Sequence, residues 1–124
     1  MTEIDDKLKN LIENNVLTLT TVDKDRSPHS IAVAYVKVVY KDKILVSDNY
    51  MKETLENLKI NSNVSLLMWN ENWKKDCFSF ELRGKAQYFT SGKWREDVKK
   101  IQENKGNPAK GAILVTITKI KKLA

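Results

Sequence analysis

Between Ile44 and Trp69 the chain reads ILVSDNYMKETLENLKINSNVSLLMW, a strand, a helix and a second strand with little between them. Ile44-Leu45-Val46-Ser47 is short and apolar, as a buried strand is. Asp48-Asn49-Tyr50 is a polar loop. From about Met51 to Ile60 the spacing predicts a helix, with Leu55 and Leu58 turned inward and Lys52 and Thr54 in its first turn. Asn61-Ser62 leads to the strand Val64–Trp69. A strand end that passes directly into a helix presents free backbone N–H groups and the positive end of the helix dipole, a setting suited to a phosphate. Lys52 adds a full charge there and the Thr54 hydroxyl a donor. Taken alone, the same spacing also fits a solvated lysine and an ordinary first-turn threonine.

Upstream, residues 3–14 read as a helix, with Ile4, Leu8, Leu11 and Ile12 on one face, Thr2 as its cap and Asn14-Asn15 at its end. Val16–Val22 alternates and is β-branched, a strand. The turn Asp23–Pro28 leads into one long strand, His29–Tyr40, whose apolar first half, Ile31–Tyr35, suggests that neither face is solvated. Downstream come a polar loop over 70–76 and a strand from Phe78 to Phe89 with a bulge at Gly84. A helix capped by Ser91 carries Trp94, Val98 and Ile101, and a last strand spans Ala112–Ile120. Six strands joined by short turns, with short flanking helices, predict a mainly β (α+β) fold, an antiparallel barrel forming one domain over residues 1–124.

Composition narrows the function. The 124 residues include 22 Lys+Arg against 16 Asp+Glu, a net charge of +6. The lysines are interleaved with acids except in the tail around Lys119, Lys121 and Lys122, so a dedicated nucleic-acid surface is not expected, whereas an anionic small ligand is served by the same charge. The acidic start, the absence of a membrane-length apolar run and a single cysteine, Cys77, favour the cytoplasm. Cys77 reads as a small core residue. One histidine, His29, and one cysteine leave no Ser-His-Asp or metal set readable from the sequence, and the HExxH, GxGxxG, GxxxxGK and GxSxG patterns are missing. Redox or transfer chemistry therefore requires a bound cofactor.

Three segments in order carry a resemblance. Asp23-Lys24-Asp25-Arg26-Ser27-Pro28-His29 resembles the D-x-D-G-x-P-H entry of the pyridoxamine-phosphate-oxidase-like FMN-binding split barrels. Lys52-x-Thr54-x-x-Asn57-Leu58 with Asn61-x-Asn63-Val64-Ser65-Leu66 is similar to that superfamily's K-x-T-x-x-N-L-x-x-N-P-x-V-S-L stretch, and Phe80–Ala86 to its G-x-A strand. The match covers roughly residues 5–123 and is closest to the short FMN-binding members.

The resemblance implies a six-stranded split barrel, a homodimer and FMN as cofactor at the subunit interface. It assigns Lys52 and Thr54 to the phosphate, and Ser47, Asp48 and Asn49 to the ring and ribityl chain. Ser30, Ile31, Ala32 and Val33 would run along the isoalloxazine, and Leu123, near Lys122 at the end of the last strand, would reach the partner's site. No catalytic residue is assigned. The activity implied is that of a flavin-dependent oxidoreductase or electron carrier, and the chain is too short for the substrate-binding extras of pyridoxamine phosphate oxidation itself. The pattern departs in Arg26 or Ser27 at a turn glycine, in Ser62 for a proline, and in Glu53, an acid where a second phosphate-binding base is usual. Arg26, Lys110 or a partner lysine are candidates to compensate. The rival readings are a flavin-free nucleic-acid-binding β-barrel using Trp69, Trp73 and Trp94, and a family member that takes a deazaflavin or haem.

Overall fold

The computed structural model describes residues 3–123; Thr2, expected to cap the first helix, lies outside them. The first helix, α1 (Asp6–Glu13), is capped instead by Asp5, whose carboxylate accepts from the Leu8 N–H at 2.8 Å. Ile4, Leu8 and Ile12 are buried on one face as the spacing requires, and the Asn14 and Asn15 amides donate to the carbonyls of Asn10 and Leu11.

Seven strands follow, not six: β1 (Leu17–Val22), β2 (Pro28–Val33), β3 (Val36–Tyr40), β4 (Lys43–Asp48), β5 (Asn63–Trp69), β6 (Ser79–Phe89) and β7 (Gly111–Lys122). The difference is the expected long strand, which breaks at Ala34-Tyr35. The sheet order β2-β1-β5-β6-β7-β4-β3 gives the reason: β2 pairs with β1 at one edge and β3 with β4 at the other. Two consecutive strands thus form opposite edges of one antiparallel sheet. The dipeptide between them carries the chain across, so the sheet curls without closing, the form of a split barrel. Neither Gly nor Pro marks the break, and apolar character persists through it. The turn before β2 takes its left-handed residue at Arg26, φ 65°, the position where a glycine is the unstrained choice.

The core is the barrel interior. Leu17, Leu19, Ile44, Leu66, Met68, Leu82, Ile113 and Val115 are fully buried, and α1 packs onto them. The second helix, α2 (Glu53–Ile60), begins two residues later than the spacing implies; Lys52 is its N-cap rather than a first-turn residue. Leu55 and Leu58 do pack on the core, but the most deeply buried side chains of α2 are Thr54 and Asn57, the latter donating to Thr21 Oγ1 at 2.9 Å. The third helix, α3 (Lys93–Lys99), is preceded by Gly92 at φ 86°, with no side-chain cap from Ser91, and lies on a second cluster of Leu45, Ala112 and Leu114. A short 3-10 turn, Gln102–Asn104, completes the connection to β7.

Gly84 does sit at a bulge. Arg83 pairs with Lys119 and Gly84 with Ile117, so Thr118 is the extra residue on β7. Cys77 is exposed just before β6, against the expectation of a core position. Among the described residues no helix is long and apolar enough to cross a membrane.

Candidate functional site

A cleft of about 450 Å3 opens between β2 and the β4–α2 corner. Its first wall is the run Ile31-Ala32-Val33-Ala34-Tyr35. Successive residues line it, both parities of the strand, so the wall is the open backbone edge of β2 and the break that follows it rather than one face of the strand. Ala32 and Ala34 are exposed while Val33 is buried and Ile31 packs on the core, so one face of the apolar run is uncovered within one copy of the chain, where the expectation was that neither is solvated.

The opposite wall is the corner itself, with Ser47, Asn49, Tyr50, Met51, Lys52, Glu53 and Thr54. The first backbone bond of α2 runs from the Glu56 N–H to the Lys52 carbonyl, so the N–H groups of Glu53, Thr54 and Leu55 have no acceptor among the described residues. Lys52, the N-cap residue, is exposed and lines the cleft at this helix start. The corner presents an anion-binding arrangement of donors next to an apolar wall.

Two buried networks hold that corner. Asp48 has no exposure; its Oδ1 accepts from the Met51 N–H at 2.9 Å and its Oδ2 from the Tyr88 hydroxyl at 2.6 Å. Lys110 reaches in, with its Nζ donating to the Met51 carbonyl at 2.8 Å and lying 3.9 Å from Asp48 Oδ2. In the second, Asn104 donates to Ser47 Oγ at 2.9 Å and accepts from Asn49 Nδ2 at 2.8 Å. Asn49 Oδ1 also takes the N–H of Ala109 at 2.9 Å, which fixes that residue in the left-handed region, φ 44°. The side chains of Ser47, Asp48 and Asn49 are thus engaged in the scaffold.

The Tyr88 phenol shows the cost of this packing. Burial first, and then the hydrogen bond to the Asp48 carboxylate, push its pKa well above the ordinary value. A raised pKa means that the folded state favours the neutral phenol. Its contribution to stability is complete below about pH 10, the unfolded value, and is lost as pH rises toward the folded one. Denaturant melts should therefore show stability falling above about pH 10, and falling less in Tyr88→Phe; equal slopes in both proteins would remove Tyr88 as the cause.

The expected site residues separate into groups. Ile31, Ala32, Val33, Ser47, Asn49, Lys52 and Thr54 line the cleft. Ser30 faces the other way, bonded to Thr20 Oγ1 at 2.7 Å, and Asp48 lies behind the wall. Leu123, half-exposed, is at the far end of β7, in a shallow apolar groove with Leu67, Trp69, Trp73 and Cys77. Tyr35, Tyr50 and Met51 belong to the cleft although nothing in their spacing singles them out, and so does His29, which the sequence marks only as the end of the motif that enters β2. His29 Nδ1 is 2.6 Å from Glu53 Oε2, which pairs the acid that departs from the family pattern.

One face of the sheet is bare. Strand register aligns Ala32, Thr18, Leu67, Glu81 and Lys121 in one row and Ser30, Thr20, Ser65, Arg83 and Lys119 in the next, with Trp69, Ser79 and Leu123 beyond. Helices α1 and α2 pack on the core side and α3 covers β4 and the start of β7. The face therefore runs, without a helix among the described residues, from the β2 side of the cleft to Leu123.

Comparison with known proteins places this geometry. An uncharacterised protein of Methanocaldococcus jannaschii is 32% identical, over 88% of this chain and 73% of its own length. Among solved structures, HupZ of Group A Streptococcus superposes with a TM-score of 0.86 at 19% identity, over 97% of this chain and 94% of its own. An FMN-binding protein of Syntrophomonas wolfei gives 0.83 at 19% identity, over 94% and 83%. The fold extends to an F420 reductase and to the haem storage protein HutZ of Vibrio cholerae, both at 0.71, so the fold does not by itself select a cofactor. The pyridoxamine 5'-phosphate oxidase family model matches residues 4–124, and the chain belongs to that family.

Proposed function

We propose that this chain is a single split-barrel domain that binds FMN non-covalently in the β2–α2 cleft, acts as a homodimer, and serves as a flavin-dependent oxidoreductase or electron carrier. The observation that carries the reading is the pairing, in one cleft, of an apolar strand edge with a cationic helix start whose first three N–H groups have no acceptor among the described residues. These match the two halves of an FMN molecule, a flat ring with a hydrogen-bonding rim and a dianionic tail. Bound flavin supplies electron or hydride transfer; the protein's part is to hold and shield it.

Lys52, Thr54 and the first-turn amides of α2 would receive the phosphate. The β2 edge at Ile31, Ala32 and Val33 would lie along the ring, its free amides meeting the ring's polar rim. Ser47 and Asn49 shape the floor through the network to Asn104. A second copy would supply the cover. In a two-fold dimer built on the bare face, an axis running along β5, the middle strand of the β2-β1-β5-β6-β7 face, would lay the β7 end of one copy over the β2 edge of the other and bring Leu123 to the partner's cleft. Burying the ring between both copies contributes several kcal/mol against the cost of association, and couples FMN binding to dimerisation. The reading includes a cytoplasmic setting, which the exposed free thiol of Cys77 fits.

The visible spectrum of gently purified protein tests this, with flavin absorption bands expected. Lys52→Ala should weaken FMN binding about tenfold or more through loss of a charge-assisted contact, and leave riboflavin binding nearly unchanged. Equal FMN affinity in both proteins would take Lys52 out of the site. A colourless protein that binds F420 or haem instead of added FMN would favour the cofactors named for the two more distant neighbours.

A further inference from the structure

We propose that His29 makes the cleft selective for a phosphorylated ligand by holding the Glu53 carboxylate away from the amino end of α2. The proposal rests on the flavin reading above and concerns its phosphate end. Glu53 is the first residue of α2, and its own N–H and those of Thr54 and Leu55 are the ones without acceptors among the described residues. An acid at this position has two natural resting places. One is over those N–H groups, where the helix dipole favours it. The other is on a partner elsewhere. Here the partner is His29, on β2, at 2.6 Å.

Both members line the cleft, one from each wall, so the contact bridges the two walls at the end that carries Lys52. Its effect on an incoming dianion is twofold. The carboxylate no longer occupies the amides that the ligand needs, and its Oε2 is engaged by the imidazole Nδ1 instead. The remaining charges at the corner are already matched: Asp48 is buried and hydrogen-bonded to Met51 and Tyr88, with Lys110 beside it. That leaves Lys52 free to meet the ligand. Glu53, whose charge alone would repel a phosphate, acts as an internal competitor that His29 keeps off the seat. The role is a positioning one, since His29 need not touch the ligand.

The test is a thermodynamic cycle on the full chain, with FMN and riboflavin titrated into wild type, His29→Ala, Glu53→Gln and the double variant. His29→Ala should lower FMN affinity about tenfold and change riboflavin affinity little. Glu53→Gln should raise FMN affinity severalfold, and in that background His29→Ala should have almost no effect, because no carboxylate remains to be held. A His29→Ala loss that persists in the Glu53→Gln background, or that is equal for FMN and riboflavin, overturns the proposal. Wild-type protein that binds no FMN overturns the flavin reading and this proposal together, whereas wild-type binding with unchanged variants overturns this proposal alone.

Discussion

Asp48→Ala should cost about 3 kcal/mol of folding stability or more, since it removes two hydrogen bonds to a buried charged group, each contributing about 1.5 to 3 kcal/mol. The carboxylate has no solvent exposure and serves the Met51 N–H, the Tyr88 hydroxyl and the nearby Lys110 ammonium. Alanine leaves the first two without their acceptor and Lys110 without its counter-charge, and opens a void in close-packed surroundings. Domains of this size have about 5 to 15 kcal/mol in total, so the variant should be marginal at room temperature. Asp48→Asn keeps the shape and one acceptor oxygen and should lose less. A denaturant melt of Asp48→Ala within about 1 kcal/mol of wild type would show that the corner does not depend on this group.

Gly84→Ala should be nearly as damaging, at about 3 kcal/mol. A Cβ at this position would lie 2.3 Å from the Thr116 carbonyl oxygen and 2.9 Å from Val115 Cγ1. Both atoms belong to β7, which is pinned on its other side by β4 through the pairs Lys43–Thr116 and Ile44–Val115. The backbone has nowhere to retreat, so the bulge has to relax or the β6–β7 ladder has to shift. Thermal denaturation is the direct check, with a strongly lowered midpoint expected. A midpoint within a degree or two of wild type would mean that the bulge yields easily.

What the sequence made legible is the corner, and the reason is local. The strand Ile44–Ser47, the helix around Leu55 and Leu58 and the strand Val64–Trp69 each announce themselves by periodicity within a few residues. The cleft follows from them, because a β4 end that enters a helix exposes that helix's first amides wherever the rest of the chain goes. Gly84 was legible for the same reason, as an isolated glycine in a strand pattern. The break at Ala34-Tyr35 was not: it is imposed by sheet topology, with β2 and β3 on opposite edges, and no residue there has a conformational preference that announces it.

The supporting shell was also hidden. Asn104 is 55 residues from Asn49, and Tyr88 is 40 from Asp48, so no spacing rule connects them. That shell is also what redefines Ser47, Asp48 and Asn49, whose side chains turn inward to Asn104 and Tyr88. Glu53 looked unfavourable because only its charge is visible in the sequence, and its partner, His29, lies across the cleft on β2. The cap at Ser91 failed because Gly92, free to adopt φ 86°, makes the turn into α3 itself. Cys77 carries too little information in one residue type to separate core from surface.

Calorimetric titration of FMN into dialysed protein bears most directly on the cleft and on the two-copy arrangement. The expected result is saturable binding at micromolar concentration or tighter, one FMN per chain, to a species that sediments as a dimer. A monomer that takes up no FMN at those concentrations would contradict it.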